Sequence, residues 1–131
     1  MRREFQLPEQ DTDHLNSLAL QWETLRDGGL SWVIIYGFPV PSGYNVQNVD
    51  VAITIQPGYP VTQLDMAYFH PHLQLANQRT ISAITFQQID GRSFQRWSRH
   101  RTTSNPWRPG VDDLSTHLAC VAFWFERELE K

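Results

Sequence analysis

The chain carries a single cysteine, Cys120, in 131 residues. One thiol excludes an intramolecular disulfide framework and a cysteine-based zinc site. No run approaches the ~18 consecutive apolar residues of a membrane-spanning helix, so no membrane segment is expected. No apolar stretch follows Met1-Arg2-Arg3-Glu4-Phe5, so no secretory signal is expected and the location implied is cytoplasmic. A net charge of -3 is too mild to argue for a nucleic-acid or membrane partner. No glycine-rich phosphate loop and no Gly-x-Ser-x-Gly elbow occurs, and nothing calls for a cofactor. His70, His72, His100 and His117 follow no regular metal-ligand spacing, so no metal is expected.

What is present argues for a packed domain. Hydrophobic residues make up 40% of the chain and aromatics 12%, which excludes a disordered polymer. The length fits one domain over residues 1–131. From Leu7 to Leu20, Pro8, Glu9 and Asp11 suit a helix start, with Leu15 and Leu18 on one face. Trp22 to Arg26 reads as extended, Asp27-Gly28-Gly29 as a hairpin turn, and Trp32 to Tyr36 as a second strand. Val49, Val51, Ile53 and Ile55 alternate with Asp50, Ala52, Thr54 and Gln56, which predicts a half-buried antiparallel strand. Leu64 to Phe69 is a fourth extended run, and Ile81 to Ile89 has room for one more short strand before the Asp90-Gly91 turn. At ~100° per residue, Val111, Leu114, Leu118, Val121, Ala122, Phe125 and Leu129 share one stripe, predicting a C-terminal helix with Asp112 and Asp113 at its positive end. Cys120 projects opposite that stripe beside Arg127, and Phe123 and Trp124 flank the far side. The order of elements is α+β: an N-terminal helix, a four-stranded antiparallel meander, a long irregular segment and a C-terminal helix packed on the sheet.

The segment from Gly91 to Asp113 is where function is expected. It concentrates Arg92, Arg96, Arg99, Arg101 and Arg108 with Trp97, Trp107 and His100, and Pro106 and Pro109 forbid an inner strand or a continued helix there. Loops on a scaffold carry sites, and Trp and Arg dominate binding hot spots. The alternative is a long connection whose tryptophans cap the core. Arg96, Trp97, Arg99, His100, Arg101, Trp107, Arg108 and Trp124 are therefore the candidate binding residues. Among its arginines, which favour the neutral imidazole, His100 is a candidate general base or carboxylate ligand. His117, four residues after Asp113, suits a local hydrogen bond to it.

The element order, the Pro57-Gly58-Tyr59-Pro60 corner and a Trp-x-Pro before the last helix resemble the ubiquitin-conjugating (UBC) superfamily, which includes RWD and catalytically dead variant domains. Gly37-Phe38-Pro39, Pro41-x-Gly43-Tyr44-Asn45-Val46, Asp50-Val51-Ala52, Trp97-Ser98-Arg99-His100-Arg101 and Pro106 through Leu114 resemble a bacterial branch, prokaryotic UBC-like family E. The resemblance implies partners: a ubiquitin-like modifier, a ThiF-type activating enzyme and a metal-dependent deconjugating peptidase, in sets associated with phage defence.

Conjugation needs a thiol that accepts the modifier as a thioester, and a hydroxyl without a base is a poor substitute. In the family that thiol lies between the fourth strand and the Trp-x-Pro helix, a span (His70 to Trp107) without cysteine here. His70-Pro71-His72 resembles the His-Pro-Asn triplet with His72 in place of Asn. Counting on from it puts the expected thiol near Thr80 and Ser82; aligning on Trp97 puts it near Phe94. Three readings follow: a binding or scaffold subunit without the usual thiol; a conjugating enzyme that uses Cys120, or whose sulfur has been replaced, for instance at Ser82 or Ala83; and an RWD-like adaptor. On the first, the arginine–tryptophan segment and the aromatics of the last helix would contact the modifier, the activating enzyme or another copy of the chain. Five arginines without supporting lysines on a net acidic chain make nucleic acid the weaker partner.

Overall fold

The computed structural model describes all residues, 1–131. Pro8 precedes α1 (Glu9–Ser17), which has Glu9 and Asp11 in its first turn. Then follow β1 (Trp22–Asp27), β2 (Leu30–Pro39), β3 (Asn48–Thr54), β4 (Ala67–His70), β5 (Ile84–Ile89), β6 (Arg92–Trp97) and α2 (Leu114–Glu130). The architecture is α+β, as the sequence predicts, with six strands rather than four. They form one antiparallel sheet in the order β1-β2-β3-β4-β6-β5. The additional pair is a hairpin about Asp90-Gly91, both at positive φ, the conformation that a two-residue turn matching strand twist requires. β6 thus occupies the start of the segment expected to be irregular. Its alternation is hidden in sequence because arginines flank it, yet Phe94 packs on one face of the sheet and Gln95 and Trp97 on the other.

One face of the sheet carries the helices. Val33, Ile35, Val51, Ile53, Phe69 and Trp97 meet Leu15 of α1 and Leu114, Leu118, Val121 and Phe125 of α2. The Phe125 ring lies 5.1 Å from that of Phe69 and 5.6 Å from that of Trp97, and pairs of this kind add about 0.5–1.5 kcal/mol beyond area burial. Val111, expected in the same stripe, lies before the helix and is exposed, and Ala122 is exposed as well. Asp113 is the N-cap: its carboxylate accepts from the Thr116 amide while the Thr116 hydroxyl accepts from the Asp113 amide. His117 therefore does not bond the Asp113 side chain. Instead its Nε2 faces the Met66 carbonyl at 2.8 Å.

The other face holds a second core of Leu25, Trp32, Ile34, Ala52, Tyr68, Ile89 and Phe94, with no helix over it. The sheet curls to close it. Although β1 and β5 are at opposite edges, the Asp90 amide donates to Asp27 Oδ2 at 2.7 Å, and the Arg2 guanidinium bridges Asp90 and Glu23. This is why β3 is not half-buried as its alternation predicts: Ala52 and Thr54 are buried too. Arg2 also holds the Glu23 carboxyl down at about 2, against the opposing effect of its burial.

α1 and α2 are joined through Asp11, which is buried. Its Oδ1 accepts from the Leu114 amide at 3.2 Å and its Oδ2 from the Tyr59 hydroxyl at 2.5 Å. An otherwise orphaned amide at the start of α2 is thereby satisfied from the other helix. Near the other end of α2, the Tyr44 hydroxyl donates to the Phe125 carbonyl at 2.7 Å. The preceding Gly43 sits at φ +114°, a backbone conformation that strains any residue with a Cβ, and it packs beside the Leu129 side chain of α2.

Candidate functional site

The loop following β6 runs back along the outer face of α2, and between them lies an open cleft of about 890 Å³. One wall is polar, from Ser98, Thr102, Ser104 and Asn105; the other is α2, with Cys120, Phe123 and Trp124; Arg99, His100, Arg127, Glu128 and Lys131 supply charge. Phe123 is 50% exposed, a large apolar ring left open to solvent.

The arginine–tryptophan segment does not act as one surface. Strand alternation sends Arg96 to the face of Tyr68, its cross-strand neighbour, and Trp97 to the helix-covered core, where it is 0% exposed. Trp97 therefore cannot touch a partner directly, which corrects its assignment as a binding residue. It lies beneath a cleft residue instead: the Arg99 guanidinium is 5.0 Å from the centroid of its ring. Arg101, Trp107 and Arg108 are outside the cleft. Trp107 is half-buried against Tyr59 and donates to the Pro60 carbonyl at 3.0 Å, and Arg101 lies over its ring at 5.2 Å while pairing with Asp112 at 3.6 Å. Arg108 is exposed, and its amide donates to Asp112 Oδ2. Of the candidate residues, the structure brings Arg99, His100, Cys120 and Trp124 together.

Arg99, His100 and Trp124 are each held from outside the segment. His100 Nδ1 lies 2.9 Å from Asp65 Oδ1, so the positive neighbours expected around this imidazole are joined by a carboxylate from the loop before β4. That loop is tied to the segment by the Met66 amide, which donates to the Arg99 carbonyl. Arg99 donates to the Ser82 carbonyl and reaches Glu128 Oε2 at 3.5 Å. Trp124 packs edge-on against His117 with centroids 5.7 Å apart. Burial holds the His117 imidazole below its ordinary pKa.

Glu128 is the electrostatic centre of the cleft's end. Arg79, Arg99 and Lys131 converge on this single buried carboxylate. Its burial alone would raise its pKa, but Lys131, Arg79 and Arg99 outweigh that and hold it below the usual carboxylate range. Three cations around one anion, with Arg127 beside them, leave an excess of positive charge at an aromatic wall. Such an arrangement suits an extended segment that carries a carboxylate.

Thiol chemistry has little support at the expected positions. His72 is engaged with Ser93, 3.2 Å from both its carbonyl and its hydroxyl, and stacks on Phe86. Phe94 is fully buried in the middle of β6, so a nucleophile there would be unreachable. The Thr80–Ser82 position is the accessible one, since both residues are exposed. Cys120 shares the cleft with His100 but sits mid-helix, partly exposed, and no hydrogen bond joins its sulfur to that imidazole.

Asp65, Glu128 and Lys131 were missed as site residues. Asp65 sits 35 positions from His100 with no spacing to connect them. Glu128 reads as an exposed charge at the end of a helix; the one available signal was its position three residues after Phe125 and before Lys131, which places it on the inward side.

No curated protein and no solved structure matches the chain significantly. A family model described as prokaryotic E2 family E matches residues 7–128, a range that includes α1, all six strands, and α2 and the lining of the cleft up to Glu128. With nearly its whole length covered, this chain belongs to prokaryotic E2 family E, a UBC-type family of ubiquitin-like conjugation.

Proposed function

We propose that the chain is a non-catalytic binding or scaffold subunit of a bacterial ubiquitin-like modification system that serves antiphage defence in the cytoplasm. It engages a ubiquitin-like modifier and a ThiF-type activating enzyme, in a set that also includes a metal-dependent deconjugating peptidase. The observation that carries this reading is chemical: between His70 and Trp107, where the family places its thiol, there is no sulfur, and the two aligned positions hold exposed hydroxyl residues or a buried phenylalanine. What this face offers instead is recognition, through Arg99, His100 and Trp124 with the exposed Phe123. Arg101, Trp107 and Arg108 form a neighbouring patch whose rigid aromatic and arginine groups suit a larger protein surface.

One observation favours a second reading. Cys120 lies in the same open cleft as His100, and His100 is hydrogen-bonded to Asp65. On this reading Cys120 accepts the modifier's acyl group from the activating enzyme's thiol and passes it to an amine. Incubation with modifier, activating enzyme and ATP separates the two readings: a reducible adduct lost in Cys120→Ser supports the enzyme, whereas complex formation without an adduct supports the scaffold. Failure to bind either protein would favour an RWD-like adaptor outside the pathway.

A further inference from the structure

The two edges of the sheet are treated differently by the chain. The β1 edge is covered by the N-terminal residues: the Glu4 amide donates to the Thr24 carbonyl at 2.9 Å and the Thr24 amide to the Arg2 carbonyl at 3.1 Å. The β5 edge has no such cover. Its sequence, Ile84-Thr85-Phe86-Gln87-Gln88-Ile89, contains no charge and no proline, and so lacks the devices that keep an edge strand from pairing. Phe86 is 62% exposed on it.

The ladder fixes which backbone groups are free. The Ser98 amide donates to the Ala83 carbonyl, and bonded pairs alternate along an antiparallel ladder. The groups turned toward β6 are therefore those of Ala83, Thr85, Gln87 and Ile89, opposite Ser98, Arg96, Phe94 and Arg92. Ile84, Phe86 and Gln88 present their N–H and C=O groups outward.

We infer that this edge pairs with the same edge of a second copy, antiparallel, about a two-fold axis at Phe86. That register sets Ile84 opposite Gln88 of the second copy and Phe86 opposite its own equivalent, so every outward backbone group of the strand finds a partner. The two phenylalanine rings come onto one face as a cross-strand aromatic pair. Charge permits it: β5 carries no charged side chain, so no like charges face each other along the paired strands. The result is a closed, isologous dimer with one continuous sheet. This inference concerns a surface apart from the cleft and does not depend on what the cleft binds.

Sedimentation velocity over a range of concentrations tests it. The wild-type chain is expected at twice its 15.3 kDa, and Phe86→Lys at the single-chain mass with an unchanged circular dichroism spectrum. Gln88→Pro provides a second variant, because the Gln88 amide faces outward and its removal breaks no internal bond. The register is read by disulfide trapping in a Cys120→Ser background. Phe86→Cys is expected to cross-link spontaneously, its Cα being about 5.5 Å from its equivalent, whereas Thr85→Cys is not. A wild-type chain that stays at the single-chain mass, a dimer that survives both edge variants, or cross-linking through Thr85→Cys in preference to Phe86→Cys would each overturn the inference.

Discussion

Asp65 and His100 meet across two separate loops, with the imidazole Nδ1 2.9 Å from one carboxylate oxygen and 3.1 Å from the other. The carboxylate fixes the ring and leaves Nε2 as its uncommitted nitrogen. His100 is well exposed, with 58% of its side chain in solvent, so the pair contributes less than about 1 kcal/mol to the fold. Asp65→Asn and His100→Ala are each expected to leave the melting temperature nearly unchanged. Both should weaken modifier binding severalfold, and the double variant should lose no more than the worse single. Calorimetric titration of the four proteins checks this, and additive losses would show that Asp65 does not act through His100.

Arg99 and Trp124 line the cleft and are expected to carry most of the affinity. Replacing either by Ala should weaken modifier binding about tenfold, a loss of roughly 1.4 kcal/mol. Arg108→Ala, outside the cleft, should change modifier affinity less than twofold while weakening the activating-enzyme complex. Binding that survives Arg99→Ala and Trp124→Ala together would place the modifier elsewhere.

Trp97 gives the converse test. It is fully buried beneath Arg99, so Trp97→Ala removes a large side chain from the core and should cost about 3–5 kcal/mol by denaturant unfolding. A stable Trp97→Ala protein with impaired binding would return this residue to the recognition surface.

Asp11 holds the two helices in register by accepting from Leu114 and Tyr59. Asp11→Ala strands a buried amide and a partly buried hydroxyl, at a cost of roughly 2–4 kcal/mol. Tyr59→Phe leaves the helix amide satisfied and should cost about 1 kcal/mol. Equal losses in the two variants would contradict the role given to the Leu114 contact.

His117 makes stability depend on pH in a stated direction. Burial lowers its pKa in the folded chain, with nearby Arg101 acting in the same sense and the Met66 carbonyl and Asp65 opposing. Below the ordinary value of ~6.5 the unfolded chain takes up a proton that the folded chain resists. Stability is then complete above that value and falls as pH drops beneath it. His117→Gln keeps a donor for Met66 without a titrating ring, so unfolding curves between pH 7 and 5 should lose this slope. An unchanged slope would assign the acid sensitivity to the carboxylates.

The fold was legible where pattern and burial agree. The Asp27-Gly28-Gly29 hairpin follows from turn chemistry, and the α2 stripe from Leu114 to Phe125, Ala122 apart, from a period that matches a single buried face; alternation placed β3 as a strand although both of its faces are covered. β6 was hidden because Arg92 and Arg96 stand beside Phe94 in the strand: their guanidinium groups reach out along the sheet surface while the strand itself is buried. One-face logic also failed at Ala52 and Thr54, which are covered by curling of the sheet rather than by another element. At the site, the concentration of Arg, Trp and His located the right loop but gave no account of which side chains face inward. Strand parity decided that, separating Trp97 from Arg96, and no local signal joined Asp65 to His100.

The most direct measurement concerns the thiol. The purified chain is mixed with its ubiquitin-like modifier, the ThiF-type activating enzyme and ATP, then resolved without reductant and, in parallel, by size-exclusion chromatography. A co-eluting complex with no reductant-sensitive adduct, unchanged in Cys120→Ser, is the expected result. An adduct that reductant releases and Cys120→Ser abolishes would contradict it and make the cleft a conjugation site.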